Sequence, residues 1–254
     1  MFDIVIPTFN NEDYTINCFK SIKKHTKDYH IIWVDNGSTK ESRDKVQAEL
    51  ATHDPKTYTT IWLDKNYGFV IASNAGIKNS TAEYLILLNN DTEVTPNWIE
   101  TLQHPFTVDP TIMATGPLTD AMGSWQGWAN VKKTVLKDMP DLNGLDENQI
   151  TTTLKNHYKT KYFYAPMIAF FCTMFKRKIF TDLGVLDTLF GAGLGDDDDM
   201  CLRIQKAGFR VACVPAGFVY HHHRTTFKSL YTQAEINNMS AKHIKLYKEK
   251  NKVR

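Results

Sequence analysis

The 254-residue chain has no apolar run approaching the length of a membrane span, no Pro/Gly/Ser-rich linker, no low-complexity tract and no internal repeat. Without roughly 18 consecutive apolar residues there is no case for a transmembrane helix. Without a linker there is no break between two domains, and one large α/β unit is expected. Charge of one sign is also scarce: 30 Lys and Arg face 28 Asp and Glu, a formal net charge of +2. No strong field therefore draws the chain to nucleic acid. Only four cysteines occur, Cys18, Cys172, Cys201 and Cys213, and their spacing matches no metal-ligand pattern. They are expected as buried small hydrophobes in a reducing compartment. The chain enters its first predicted strand at Phe2 with no basic-then-apolar leader. Asn-x-Ser/Thr triplets begin at Asn36 and Asn90, among the polar loops described next, where a glycan would obstruct them. A cytoplasmic location is the expectation.

What is present is an alternation of short apolar runs with helical segments. Phe2–Ile6, His30–Val34, Thr59–Leu63 and Tyr84–Leu88 are predicted strands, each running into a polar cluster. These clusters are Pro7–Asn11, Asp35–Thr39, Asp64–Gly68 and Asn89–Glu93. Between them, Tyr14, Cys18 and Ile22 share a helix face with Phe19 beside them, the Thr39 segment is rich in charge, and Phe69–Lys78 is apolar. Such alternation with short connections predicts a mostly parallel sheet flanked by helices. Right-handed crossovers then put the four polar clusters along one rim, where open α/β sheets bind ligands.

Asp91 stands at the end of the most apolar strand. An acid there suits a hard divalent cation that completes its shell with phosphate oxygens, although an Asx-turn would account for it as well. A second acidic cluster follows a glycine turn, Gly191–Gly195, and opens a helix at Asp196, Asp197, Asp198 and Asp199. Asp196 is expected to cap that helix. Capping and the helix dipole explain one or two of these acids, whereas four adjacent carboxylates call for a cation, a partner or a use for a raised pKa. Downstream, a strand over Phe209–Val214 leads past Pro215 to His221, His222, His223 and Arg224, side chains suited to a divalent ion or a diphosphate. Gly116–Lys161, with Trp125 and Trp128, shows little periodicity and is expected as a long irregular stretch, a lid or a substrate wall.

Taken in order, Ile4–Asn10, Val34–Thr39, Asn66–Phe69 with Ala72–Ile77, Leu87–Asp91 and Asp196–Arg203 resemble the family 2 glycosyltransferases of GT-A fold, in particular their rhamnosyltransferase-like branch. The resemblance runs over about residues 2 to 226. It implies a Rossmann-like nucleotide-binding half joined to an acceptor half. Pro7, Thr8, Phe9 and Asp35 would hold the nucleobase and ribose of a sugar nucleotide, with Asn10, Asn66, Gly68, Phe69, Asn74 and Asn90 completing the donor pocket. The family's Asp-x-Asp motif falls on Asn89–Asn90–Asp91, so its first acid is replaced and Asp91, helped by the phosphates and His221, is left to hold Mn2+ or Mg2+. Asp196 and Asp197 match an acidic pair that makes Asp197 the general base. Asp199 and Arg203 keep the pattern as structural residues. Ala169–Cys172, including Phe171, falls where relatives line the donor-sugar and acceptor site, and Trp125 and Asp196 are assigned there too.

The implied reaction moves a hexosyl or deoxyhexosyl group, with inversion, from a nucleotide-diphosphate sugar to a hydroxyl of a glycan, polysaccharide or glycoprotein glycan. One base and no second nucleophilic carboxylate agree with inversion. A sugar-phosphate nucleotidyltransferase is disfavoured by the lack of a glycine-rich basic loop after the first strand, and a weakened sugar-nucleotide binder is the remaining alternative because of Asn89. Residues 1–232 are expected as the catalytic domain. Residues 233–254, with Ile236, Met239, His243, Leu246 and Tyr247, are expected as a helix docked on it, a homodimer contact or a membrane-surface contact being the other uses of such a tail.

Overall fold

Strand β1 (Phe2–Thr8) lies in parallel between β2 (Tyr29–Asn36) and β4 (Tyr84–Leu88), and β2 pairs in parallel with β3 (Tyr58–Leu63). The computed structural model describes residues 1–121, 124–222 and 232–251. Past β4 the sheet continues through β8 (Cys172–Lys176), antiparallel to β4 and to β6 (Ile112–Leu118), and then through β9 (Arg210–His221), parallel to β6. β5 (Thr92–Val94) and β7 (Phe163–Tyr164) run antiparallel against β9. The order is β3-β2-β1-β4-β8-β6-β9-β5, so the mostly parallel sheet expected from the alternation is what forms.

Both faces of this sheet are covered, which explains the unbroken apolar runs. Along β1, Val5 joins a cluster with Val34, Leu85 and Leu87 on one face. Ile4 and Ile6 join Trp33, Ile86 and Leu88 on the other. Successive side chains simply alternate between two cores. Helix α1 (Glu12–His25) buries Cys18, Phe19 and Ile22 on the second face. Helix α3 (Phe69–Asn79) buries Val70, Ala72 and Ile77 on the first, while α2 (Lys40–Leu50) follows β2. Helix α4 (Trp98–Val108) joins β5 to β6. All four cysteines are free and buried, and burial pushes the Cys18 thiol up to about 12.

Three expectations are corrected. The stretch from Gly116 to Lys161 is not one irregular loop. It holds α5 (Trp128–Thr134) and α6 (Glu147–Tyr158), and α6 begins with a capping box between Asp146 and Gln149 and buries Ile150, Leu154 and Tyr158. Second, β9 does not stop before Pro215 but runs on to His221, absorbing the proline at an irregularity where Pro117 pairs with Val214 and Leu118 with Phe218. Third, β2 extends through Asp35 and Asn36, because its ladder with β3 continues to the pairs Asp35↔Trp62 and Asn36↔Leu63. Asp35 is therefore a strand residue rather than a loop residue.

The remaining elements are α7 (Lys178–Leu183), α8 (Asp196–Lys206) and α9 (Gln233–Asn251). Helix α9 buries Ile236 and His243, and Leu246 and Tyr247 pack on the first core. No described helix is long and apolar enough to cross a membrane.

At the amino end of β1, buried Asp3 ties the sheet to the turn entering β4. Its carboxylate accepts hydrogen bonds from Ser80 Oγ at 2.7 Å, Thr81 N at 2.7 Å and Ala82 N at 2.8 Å, and pairs with His30 Nδ1 at 3.2 Å. Burial alone would raise its pKa, but the donors, led by Ala82 N, hold it below the usual value. A depressed carboxylate adds stability that is present above the unfolded pKa of about 3.9 and is lost as pH falls. Asp3→Ala strands three donors and should cost about 3 kcal/mol at pH 7 in urea denaturation, with the difference from wild type shrinking below about pH 4.

Candidate active site

A cavity of about 530 Å³ opens where the strand ends meet the glycine turn before α8. Pro7, Thr8 and Phe9 contribute one side of it from the end of β1, and Asn66, Gly68 and Phe69 another from the turn into α3. Thr8 Oγ accepts from Trp33 Nε1 at 2.8 Å, which fixes this rim to the buried core. Asn36 organises the second side: its Nδ2 donates to Asn66 Oδ1 at 2.9 Å and its Oδ1 accepts from Tyr67 N at 2.9 Å. Gly68 must be glycine here. Its φ is +86°, and an added Cβ would lie 2.6 Å from Gly191 O, so the α3 turn and the loop before α8 touch backbone to backbone.

Three of the residues expected in the donor pocket do not line this cavity. Asn74 is buried in α3 and clamps Leu186, donating to its carbonyl at 2.8 Å and accepting from its N–H at 3.0 Å. Asn10 fastens the β1 loop to the β2 loop, its Oδ1 accepting from Thr39 N at 2.9 Å and its N–H reaching Ser38 Oγ at 2.8 Å. Asp35 lies beneath the rim, 1% exposed, its Oδ1 accepting from Arg43 Nη2 at 2.9 Å and from Ser38 N at 3.1 Å. Arg43 in turn stacks 4.8 Å over Trp62.

The floor is the end of β4. Asn90 lines the cavity and donates from Nδ2 to Thr15 Oγ1 at 3.0 Å. Asp91 Oδ1 lies 3.3 Å from His221 Nε2, both side chains being largely buried, and the antiparallel pairing of β5 with β9 is what brings them together. Phe171 stacks on the His221 ring at 5.0 Å and 14°, and Asp120 Oδ1 accepts from His221 N at 2.9 Å. The sequence offered no signal for Asp120. His222 turns away to Glu93, Nε2 to Oε1 2.9 Å. Among the described residues no group of three His, Cys, Asp or Glu side chains is placed to hold a metal ion by itself. His223 and Arg224, expected as anion or cation contacts, lie outside the described residues.

The amino end of α8 lines the same cavity. Its cap is Gly195 in a left-handed conformation, with no side-chain cap, so Asp196 is the first helical residue rather than the expected cap. The four acids have separate environments. Asp199 is buried and ion-paired, its Oδ2 with Arg203 Nε at 2.9 Å and its Oδ1 with Lys250 Nζ at 2.7 Å. Arg203 also donates to the carbonyls of Leu183 and Val185, each at 2.9 Å, which supports its expected structural role. Asp196, Asp197 and Asp198 line the cavity instead. Burial and the Asp197 charge push Asp196 well above the usual carboxylate range. Burial, then the Asp198 charge, push Asp197 up to about 6. Trp125 joins the lining from the segment before α5, and α9 adds Ser240, His243, Ile244 and Tyr247, a wall that the sequence did not indicate.

A raised carboxylate holds its proton more tightly when folded than when unfolded, so stability is lost as pH rises from about 4 through the folded value of about 6. Asp197→Asn should thus be more stable than wild type at pH 7, by about 1–2 kcal/mol, with the gap closing towards pH 4 in denaturant titrations.

Several known proteins are similar to this chain. The O-antigen biosynthesis protein RfbC of Myxococcus xanthus is 26% identical over 86% of this chain, and the pre-mycofactocin glycosyltransferase of Mycobacterium tuberculosis is 26% identical over 89%. The chain spans only 17% and 43% of the lengths of those relatives. Among solved structures, GalNAc-T7 with UDP, GalNAc and Mn2+ superimposes with a TM-score of 0.67 at 21% identity, covering 87% of this chain and 43% of its own. The mannosyltransferase PcManGT from Pyrobaculum calidifontis, in complex with GDP-Man and Mn2+, does so with a TM-score of 0.64 at 16% identity, covering 87% of this chain and 56% of its own. These likenesses establish the GT-A fold. A family model described as glycosyl transferase family 2 matches residues 3–184, most of the sequence, and the chain belongs to that family.

Proposed function

We propose that the cavity binds a nucleotide-diphosphate sugar and that Asp197 catalyses transfer of its glycosyl group to a hydroxyl acceptor with inversion. The observation that carries this reading is that Asp197 lines the same cavity as the Asp91–His221 pair, with burial and the Asp198 charge pushing its carboxyl up to about 6. A general base works best when its pKa lies near the operating pH, and a carboxylate at its ordinary value would be a much weaker proton acceptor. Family membership and the nucleotide sugars or nucleotides bound by the structural neighbours support the same reading.

In this mechanism the acceptor hydroxyl gives its proton to Asp197 as its oxygen forms a bond to the anomeric carbon. The bond from that carbon to the diphosphate oxygen breaks on the opposite face, the electron pair leaving with the nucleoside diphosphate. Phe9 and Phe69 offer apolar surface to the nucleoside beside the polar groups of Asn36 and Asn66. The developing charge on the diphosphate falls near Asp91 and His221.

A carboxylate and an imidazole 3.3 Å apart fit Mn2+ or Mg2+ only as a two-ligand protein site completed by diphosphate oxygens, a usual arrangement for such cations. When bound there, the ion neutralises the leaving group. Binding requires neutral His221 and ionised Asp91. The Mn2+ in the GalNAc-T7 and PcManGT complexes accords with this. Asn89 in place of a second acid makes affinity depend on the diphosphate, so metal and nucleotide are expected to bind together.

Thermal stabilisation by UDP, GDP and dTDP, with and without Mn2+, tests the donor class, and detection of sugar transfer tests the reaction. In Asp91→Ala, calorimetry should show the Mn2+-dependent part of nucleoside diphosphate affinity lost with circular dichroism unchanged. Unaltered metal-dependent binding would remove Asp91 from the site. Asp197→Asn keeps shape but not basicity, and its turnover should drop by about 10²–10⁴ while donor binding survives. The wild-type rate should climb with pH through about 6 and level off above, because the ionised form is the active one. Near-normal turnover of Asp197→Asn, or a larger loss in Asp198→Asn, would reassign the base.

A further inference from the structure

Helix α9 lies outside the segment matched by the family model, yet it closes one side of the cavity. Its carboxyl end is pinned by Lys250, which reaches Asp187 at 2.6 Å and Asp199 at 2.7 Å. Its middle carries His243, 8% exposed, directly over the start of α8: a Cβ added at Gly195 would lie 3.8 Å from His243 Cβ. Phe190 meets the imidazole edge-on at 6.0 Å and 87°. His243 Nδ1 is buried and has no hydrogen-bond partner among the described residues. A buried nitrogen left unpaired is costly, and both tautomers of a neutral imidazole can serve a hydroxyl, one as donor and the other as acceptor. The same side chain lines the cavity. Beside His243, Ile244 is 58% exposed and lines the same wall with Tyr247. A sugar ring has the complementary chemistry, with C–H faces to cover apolar side chains and hydroxyls at its edge.

We propose that α9 is the acceptor wall of this enzyme, with His243 hydrogen-bonding a hydroxyl of an acceptor sugar whose ring lies against Ile244 and Tyr247. Through the Gly195 contact His243 packs on the start of α8, the helix that carries Asp197, and lines the cavity with it. The inference rests on the glycosyl transfer reading and adds the residues that choose the acceptor.

The test uses the full chain, the sugar nucleotide that wild type turns over, and a panel of p-nitrophenyl glycosides as acceptors. His243→Ala should raise the acceptor KM about tenfold, the effect of one lost hydrogen bond, with affinity for the free nucleoside diphosphate unchanged. His243→Gln, which retains donor and acceptor groups, should recover part of the loss. Ile244→Ser, at an exposed position that does not threaten folding, should raise the same KM severalfold. Unchanged acceptor KM in His243→Ala and Ile244→Ser, or a parallel loss of nucleotide affinity, overturns the acceptor wall. A folded wild type that neither transfers nor hydrolyses any sugar nucleotide overturns the transfer reading, and this proposal with it.

Discussion

The pairing of β1 between β2 and β4 is the constraint on which the cavity depends. In this register Thr8 is level with Asp35, and Val5 with Leu87, so the polar residues that follow each strand emerge along one rim. Because Ile4, Val5 and Ile6 are all fully buried, the ladder cannot slip by one residue without moving each side chain to the wrong core. The rim is thus held by the hydrophobic alternation beneath it. At the other end of β1, Asp3 secures the same strand to the turn before β4.

The acids at the start of α8 show how one local cluster is divided by its surroundings. All four meet the unpaired amide groups and positive end of the helix. Asp199 faces inward to Arg203 and Lys250, so its charge is compensated and it joins α8 to both the Leu183–Val185 turn and α9. Asp196 and Asp197 line the cavity and form no ion pair with a described residue; burial raises both, joined by the Asp197 charge at Asp196 and the Asp198 charge at Asp197. The ion-paired acid anchors the helix, whereas Asp196 and Asp197 line the cavity with raised pKa values.

Much of this was readable in advance, for a physical reason. The strands before Asn10, Thr39, Gly68 and Glu93 were visible because burial on both faces leaves a continuous apolar run, and the glycine turn before Asp196 marked a helix start. Thr8, Gly68, Asp91 and Asp197 all line the cavity. Asn74 and Asp35, expected in the donor pocket, are instead engaged by partners that the local pattern did not reveal. Asn74 serves Leu186, 112 residues away, and Asp35 serves Arg43 inside a strand two residues longer than its apolar core suggested. Helix α6 was missed because its polar face is long and its capping box lies in a turn-rich stretch.

The amino-acid sequence by itself determined the alternation of strands and helices, the parallel sense of the first four strands and the place of Asp91 and Asp197 at element ends, since hydrophobic period and helix-start chemistry act over a few residues. Tertiary structure alone decided that His221 stands beside Asp91, that Asp199 rather than Asp197 is neutralised, and that α9 walls the cavity. Those outcomes rest on contacts between groups 50 to 130 residues apart. Charge compensation and burial are set by which surfaces meet, and no local pattern encodes that meeting.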